Sequence, residues 1–157
     1  MADHFPLAID LDARRRWVLW FGDDPSGVVC ADGRVVSFLV LADLRTYAAD
    51  LGVVLVHEAA AVDLDRVLAG ESEPNVRDVL DAWNLITYVA SSLARPFHDG
   101  GAAHDGLYDK VFAANNSPAT TPLGDGDELN WTHADLTLLR SILTDGIALV
   151  RVALSAA

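Results

Sequence analysis

The 157-residue chain contains a single cysteine, and this scarcity limits both how it is stabilised and what chemistry it can perform. Cys30 cannot form an intramolecular disulfide, so the fold must be stabilised by packing, which fits a reducing compartment. The residue follows two valines in a predicted strand, where burial would raise the pKa of the thiol and suppress its reactivity. We therefore expect Cys30 to be a small core residue rather than a nucleophile.

The common sequence motifs of catalysis are also absent. The chain has no Gly-x-Ser-x-Gly, Gly-x-Gly-x-x-Gly, Walker or Cys-x-x-Cys motif, which removes the usual hydrolase, dinucleotide, nucleotide and zinc signatures. No Ser, Cys or Thr lies in a sequence pattern that is typical of an activated nucleophile. These absences favour a non-catalytic protein, and the sequence assigns no catalytic residue and no cofactor.

Long apolar runs are missing as well. The longest apolar segments are interrupted by Arg140, Asp145 and Arg151, so none reaches the length needed to cross a bilayer. The first residues do not combine a basic start with an apolar stretch, as a secretory signal would. We expect a cytoplasmic protein that does not contact membranes.

Basic residues are few relative to acidic ones. Eleven Lys and Arg stand against 23 Asp and Glu, which gives a net charge of −12. This charge repels phosphate backbones, so nucleic acid is not an expected ligand, whereas a basic protein would be attracted. Division of the chain after Asn75 leaves a net charge of −7 in the first part and −5 in the second. The acidity is therefore spread along the chain rather than concentrated in a tail.

The residues that are present predict one α+β domain over residues 1–157. Short apolar runs at 17–21, 28–30, 34–39 and 53–56 are typical of strands, and the Asp-Gly pair between the second and third predicts a hairpin. Helical spacing predicts helices at 41–51, 75–94, 107–114 and from Thr132 onwards. We expect an N-terminal antiparallel sheet of three to four strands with one inserted helix, packed against a C-terminal group of about three helices.

A glycine-rich segment between two predicted helices contains the sequence His-Asp-Gly twice. His98, Asp99, His104 and Asp105 supply imidazole nitrogens and carboxylate oxygens, which are usual ligands of divalent metals. Most metal sites take their ligands from rigid elements, and ordering a glycine-rich segment costs much entropy. The competing interpretation is a solvated linker, which we favour over a metal site.

The stretch from Tyr108 to Trp131 is the longest that neither periodicity nor turn chemistry explains. Long loops inside small domains usually have a function, so this stretch is the predicted partner-binding surface. The other interpretation is that the asparagines are helix caps, the prolines stiffen the chain, and Lys110 pairs with a neighbouring carboxylate. The candidate partner-binding residues are Tyr108, Asp109, Asn115, Asn116, Asp125, Asp127, Glu128 and Trp131.

Three classes of function remain open on this sequence. The first is a non-catalytic acidic protein of the immunity or inhibitor type, which binds a basic partner by charge. The second is a small enzyme or metal- or ligand-binding domain that uses His and Asp groups near residues 97–106, together with His57 and Glu58. The third is a domain that forms a homodimer through its C-terminal helices. We favour the first.

Overall fold

A computed structural model of the protein describes residues 3–22, 26–56, 60–69, 76–97, 106–112 and 132–154. Within these ranges the fold is α+β, as predicted. The strands are β1 His4–Leu11, β2 Arg14–Phe21, β3 Gly27–Val28, β4 Cys30–Ala31, β5 Arg34–Val35, β6 Ser37–Phe38 and β7 Ala60–Asp63. The helices are α1 Leu41–Leu51, α2 Leu64–Leu68, α3 Val76–Ser92, α4 at residues 106–112 and α5 His133–Leu154.

The main sheet has the strand order β3-β2-β1-β7, and β6 also pairs with β2. β1 and β2 form a long antiparallel hairpin, in register from His4 opposite Phe21 to Leu11 opposite Arg14. β7 pairs with the other edge of β1 in the parallel sense, which differs from the purely antiparallel sheet expected. The parallel pairing arises because the chain crosses from one edge of the sheet to the other through α1.

The strands differ from the sequence prediction in several places. The run predicted at 28–30 is divided between β3 and β4, and the run predicted at 34–39 is divided between β5 and β6. β1 was not predicted, because Pro6 and Asp10 interrupt its apolar pattern and disguise an otherwise buried strand. The strand predicted at 53–56 is reduced to one isolated bridge between Leu55 and His4, and the pairing strand β7 follows a few residues later. The Asp-Gly hairpin is confirmed as β4 and β5, whose turn residues Asp32 and Gly33 both have positive φ.

The sheet carries apolar side chains on both faces. Leu7, Ile9 and Val18 point to one face and join a large core that includes residues of α3 and α5. Leu19 points to the opposite face and packs with Leu44 and Ala48 of α1. The fold therefore has three layers within the described ranges, with the sheet between α1 and the pair α3 and α5.

The C-terminal helices pack closely on one another and on the sheet. Trp83 of α3 is 1% exposed and belongs to the large core. An added Cβ at Gly146 of α5 would lie 2.7 Å from two side-chain atoms of Ile86 and 2.9 Å from Phe97. Glycine at this position therefore lets α5 approach α3 and the residues that follow α3 in the chain. None of the described helices has the length and apolarity required to cross a membrane.

The turn between β1 and β2 has an unusual backbone. Asp12 and Ala13 have φ of 56° and 60°, a region that residues with a Cβ rarely occupy. The carboxylate of Asp65, at the start of α2, accepts hydrogen bonds from the backbone N–H of Asp12 at 2.7 Å and of Ala13 at 2.8 Å. The carboxylate of Asp12 forms a two-point ion pair with Arg151 of α5. The turn is thus fixed by two helices.

Replacement of Ala13 with Gly is expected to stabilise the protein by about 1 kcal/mol, because glycine adopts positive φ without steric cost. Asp65→Ala is expected to destabilise it by about 1 kcal/mol, because two backbone N–H groups lose a charged acceptor. Urea denaturation measures both. Asp50→Ala, which removes an exposed acid from α1, is the control and should change the free energy of unfolding by less than about 0.5 kcal/mol. An Asp65→Ala variant with an unchanged free energy of unfolding would contradict the account of the turn.

Gly146→Ala should lower the free energy of unfolding by about 1–3 kcal/mol, because the new methyl group overlaps Ile86 and Phe97. This loss opposes the helix propensity of alanine, which alone would stabilise by about 1 kcal/mol. Gly106→Ala is the matched control, because a Cβ at this position of α4 meets nothing within 4 Å. In thermal unfolding, the melting temperature should fall for Gly146→Ala and rise for Gly106→Ala. A change in the same direction for both variants would contradict the role given to Gly146.

Candidate functional site

The short helix α4 lies between the two segments that sequence analysis selected. Residues 98–105 precede it and residues 113–131 follow it. Ten of the twelve candidate residues belong to these two segments and lie outside the described residues, as do His57 and Glu58. They are His98, Asp99, His104, Asp105, Asn115, Asn116, Asp125, Asp127, Glu128 and Trp131. The structure therefore shows the helix that both segments join, and Tyr108 and Asp109 on it.

α4 is attached to α3 through one face. Leu107 and Val111 are buried in the large core. The hydroxyl of Tyr108 donates to Oδ1 of Asn84 at 2.7 Å, and its ring meets Trp83 edge-on with 5.2 Å between centroids. Burial raises the pKa of Tyr108, so the hydroxyl remains a donor at neutral pH. Tyr108 is thus fixed by contacts within the protein.

A second attachment joins α4 to the start of α5. Nζ of Lys110 lies 2.7 Å from Oδ2 of Asp135, which confirms the expected pairing of this lysine with a carboxylate. Asp135 also accepts from the backbone N–H of Thr132 at 3.1 Å and donates its own backbone N–H to Oγ1 of Thr132 at 3.0 Å. This reciprocal cap confirms the predicted start of the last helix. Because Lys110 and Thr132 lie on either side of residues 113–131, the chain enters and leaves that segment at neighbouring points.

The outward face of α4 combines one charge with one aromatic ring. Asp109 is exposed, and Phe112 is 49% exposed. The ring of Phe112 stacks on Tyr108 with 6.2 Å between centroids, so the fixed tyrosine supports it. Half-exposed aromatic rings with rigid support are typical of protein interfaces. Phe112 was not among the predicted site residues, because helical spacing alone does not separate an exposed ring from a buried one.

The predictions for Cys30 and for a metal site have different outcomes. Burial raises the pKa of Cys30, and its Sγ donates to the carbonyl of Val28 at 3.5 Å, so the thiol remains protonated as predicted. The residue is only half-buried, which is less than the core position expected. Among the residues the structure describes, no three His, Cys, Asp or Glu side chains form a group that would hold a metal. The predicted metal ligands all lie outside those residues and stay a prediction.

The two segments that flank α4 are acidic. Residues 98–105 and 113–131 contain five Asp and Glu and neither Lys nor Arg, a net charge of −5. On the described elements, by contrast, several acids are neutralised by ion pairs, as in Asp10 with Arg15 and Asp78 with Arg66.

Comparison with models of protein families, with curated proteins and with solved structures finds no match. Function is accordingly inferred from this chain's own residues.

Asp135→Asn should lower the free energy of unfolding by about 0.5 kcal/mol at pH 7, because Lys110 loses its counter-ion in a partly exposed site. Lys110 and Thr132 lower the pKa of Asp135, so its contribution is present above the ordinary carboxyl value of 3.8. The contribution is lost as the pH falls through the lowered value. Urea denaturation at pH 7 and in strong acid measures this. The control Asp145→Asn, an exposed acid of the same helix, should show no such pH-dependent difference.

Proposed function

We propose that this protein is a non-catalytic binding protein that recognises a basic protein partner, in the manner of an inhibitor or immunity protein. The surface that makes the contact is formed by α4 and its two flanking segments, residues 98–105 and 113–131. The observation that carries the proposal is the charge of these two segments. They contain five acids and neither Lys nor Arg.

Unbalanced carboxylates of this kind attract a cationic partner. The five acids of these segments are Asp99, Asp105, Asp125, Asp127 and Glu128. Neither segment contains a Lys or Arg that would neutralise them locally. Charges of one sign on one part of a surface accelerate encounter with a partner of the opposite sign and select against acidic proteins. Salt screens this attraction over about 8–10 Å, so binding should depend on ionic strength.

The attachments of α4 support the same surface. The pair of Lys110 with Asp135 joins α4 to the start of α5, the two described elements that residues 113–131 connect. Phe112 supplies a half-exposed apolar contact on α4, supported by Tyr108. Aromatic side chains are enriched in protein interfaces and among their binding hot spots.

The last helix contributes little to a homodimer surface. Its apolar residues Leu139, Leu143, Ile147 and Val150 are buried in the chain's own core. Among the described residues of α5, Val152 is the large apolar side chain that is exposed, at 54%. The apolar face that suggested a homodimer is therefore already covered by the sheet and α3. This coverage favours a partner that is a different protein.

The test uses the proteins that are encoded beside this chain's gene and carry a net positive charge. Each is titrated against the protein by biolayer interferometry at 50 mM and 500 mM salt. The triple variant Asp125→Asn, Asp127→Asn, Glu128→Gln should bind about ten-fold more weakly at low salt, mainly through slower association. It should also show a smaller dependence on salt, because three of the screened charges are gone.

The matched control removes three exposed acids that lie outside residues 98–131. Asp32→Asn, Asp43→Asn, Asp50→Asn changes the net charge by the same amount, in the turn between β4 and β5 and on α1. This variant should retain the affinity of the unmodified protein within about two-fold. Equal weakening by the two triple variants would reduce the effect to general charge attraction and overturn the proposed surface. Failure of every basic neighbour to bind would overturn the proposed function.

A further inference from the structure

A groove opens beside the turn that joins β1 to β2, where these two strands meet the C-terminal end of α5. β3 pairs with the other end of β2. Its volume is about 340 Å³, within the range of small-molecule sites. The apolar part of its wall consists of Ile9, Leu11 and Leu154, and the polar part consists of Asp12 and three arginines. Three guanidinium groups around one groove are unexpected in a chain whose net charge is −12.

Two of these arginines pair with no carboxylate among the described residues. Arg14 and Arg16 alternate along β2 on the face that joins the large core, opposite Leu11 and Ile9 of β1. Four other basic residues form ion pairs with carboxylates, but in the described part of the chain no acidic side chain lies within ion-pair distance of Arg14 or Arg16. Arg16 is also half-buried, so its charge is partly removed from water. A guanidinium in that position is stabilised by an anion that supplies the missing acceptor.

The third arginine is held in place. Arg151 makes two hydrogen bonds to the carboxylate of Asp12, at 2.8 Å and 2.9 Å. Asp12 belongs to the turn of positive φ that Asp65 fixes through two backbone N–H groups. The unusual backbone of this turn therefore shapes the rim of the groove rather than an arbitrary part of the surface. Backbone strain that neighbouring groups maintain is often associated with binding sites.

We propose that this groove binds a small organic oxyanion, in which a carboxylate or phosphate is joined to an apolar group. Arg14 and Arg16 contact the oxyanion, since planar guanidinium groups donate paired hydrogen bonds to carboxylate and phosphate oxygens. Ile9, Leu11 and Leu154 contact the apolar group. Arg151 fixes the rim through its pair with Asp12. The lining residues of this groove belong neither to α4 nor to its flanking segments, and the proposal does not depend on the proposed protein partner.

The first experiment compares ligands that share one apolar ring. Benzoate, phenyl phosphate and the uncharged benzamide are titrated into the full chain at constant ionic strength, with inorganic phosphate as a fourth probe. The readout is the NMR signals of the arginine side-chain Nε–H groups and of the methyl groups of Ile9, Leu11 and Leu154. At least one of the two ring anions should shift the signals of Arg14, Arg16 and the three apolar residues, while benzamide should not. Tighter binding of benzoate assigns the site to carboxylates, and tighter binding of phenyl phosphate assigns it to phosphates.

The second experiment uses charge-removing variants. Arg16→Gln should weaken the binding of the better anion about ten-fold, as expected for the loss of a charge-assisted hydrogen bond. The double variant Arg14→Gln, Arg16→Gln should abolish detectable binding. Arg45→Gln is the matched control, because Arg45 is exposed on α1, which covers the opposite face of the sheet, and this variant should bind as the unmodified protein does. The double variant should keep its fold, because neither arginine pairs with a carboxylate among the described residues. NMR signals of its core methyl groups that match those of the unmodified protein would verify this.

Three results would overturn the proposal. One is the absence of any shift with both ring anions up to their solubility limits in the unmodified protein, which requires no variant. Another is a response to benzamide as large as that to benzoate, which would indicate apolar contact without recognition of charge. The third is equal binding by the Arg14→Gln, Arg16→Gln double variant and the Arg45→Gln control.

Discussion

The fold depends on β1, a strand that pairs on both edges and has buried side chains on both faces. Its edges pair with β2 in the antiparallel sense and with β7 in the parallel sense. Leu7 and Ile9 face α3 and α5, while Ala8, which is also buried, faces the side covered by α1. A strand in this position fixes the order of the sheet and separates two apolar layers. The turn that follows it, at Asp12 and Ala13, is then held by contacts to α2 and α5.

Charge has two roles in this chain. On the described elements, ion pairs such as Lys110 with Asp135 join one element to another. The segments that flank α4 instead contain five acids and no basic residue. The net charges of the two halves of the chain do not show this local excess, because each half combines acidic and basic stretches.

Local chemistry predicted the ends of elements well and their pairing poorly. The Asp32-Gly33 hairpin and the start of the last helix after Thr132 are confirmed, because each depends on residues a few positions apart. β1 was missed, since its pattern depends on burial by elements far along the chain. The parallel pairing of β7 was missed for the same reason, because strand order is decided by long-range packing that has no local signature.

The candidate sites were predictable to different degrees. Composition selected the segments around α4, and the pairing of Lys110 was anticipated, but the exposure of Phe112 required the packed helix. The groove at Arg14 and Arg16 could not be predicted, because its walls come from two strands and the end of α5. A run of three arginines in sequence gives no sign that alternate members face a core while Arg15 faces the other way and pairs with Asp10.

The central claim, that α4 and its flanking segments bind a basic protein, can be tested most directly by hydrogen exchange of the complex. Exchange is measured on the protein alone and with a basic partner bound at low salt. The account predicts that protection increases within residues 98–131 and is unchanged on α1 and β6. Increased protection on α1 or β6, with none within residues 98–131, would contradict it.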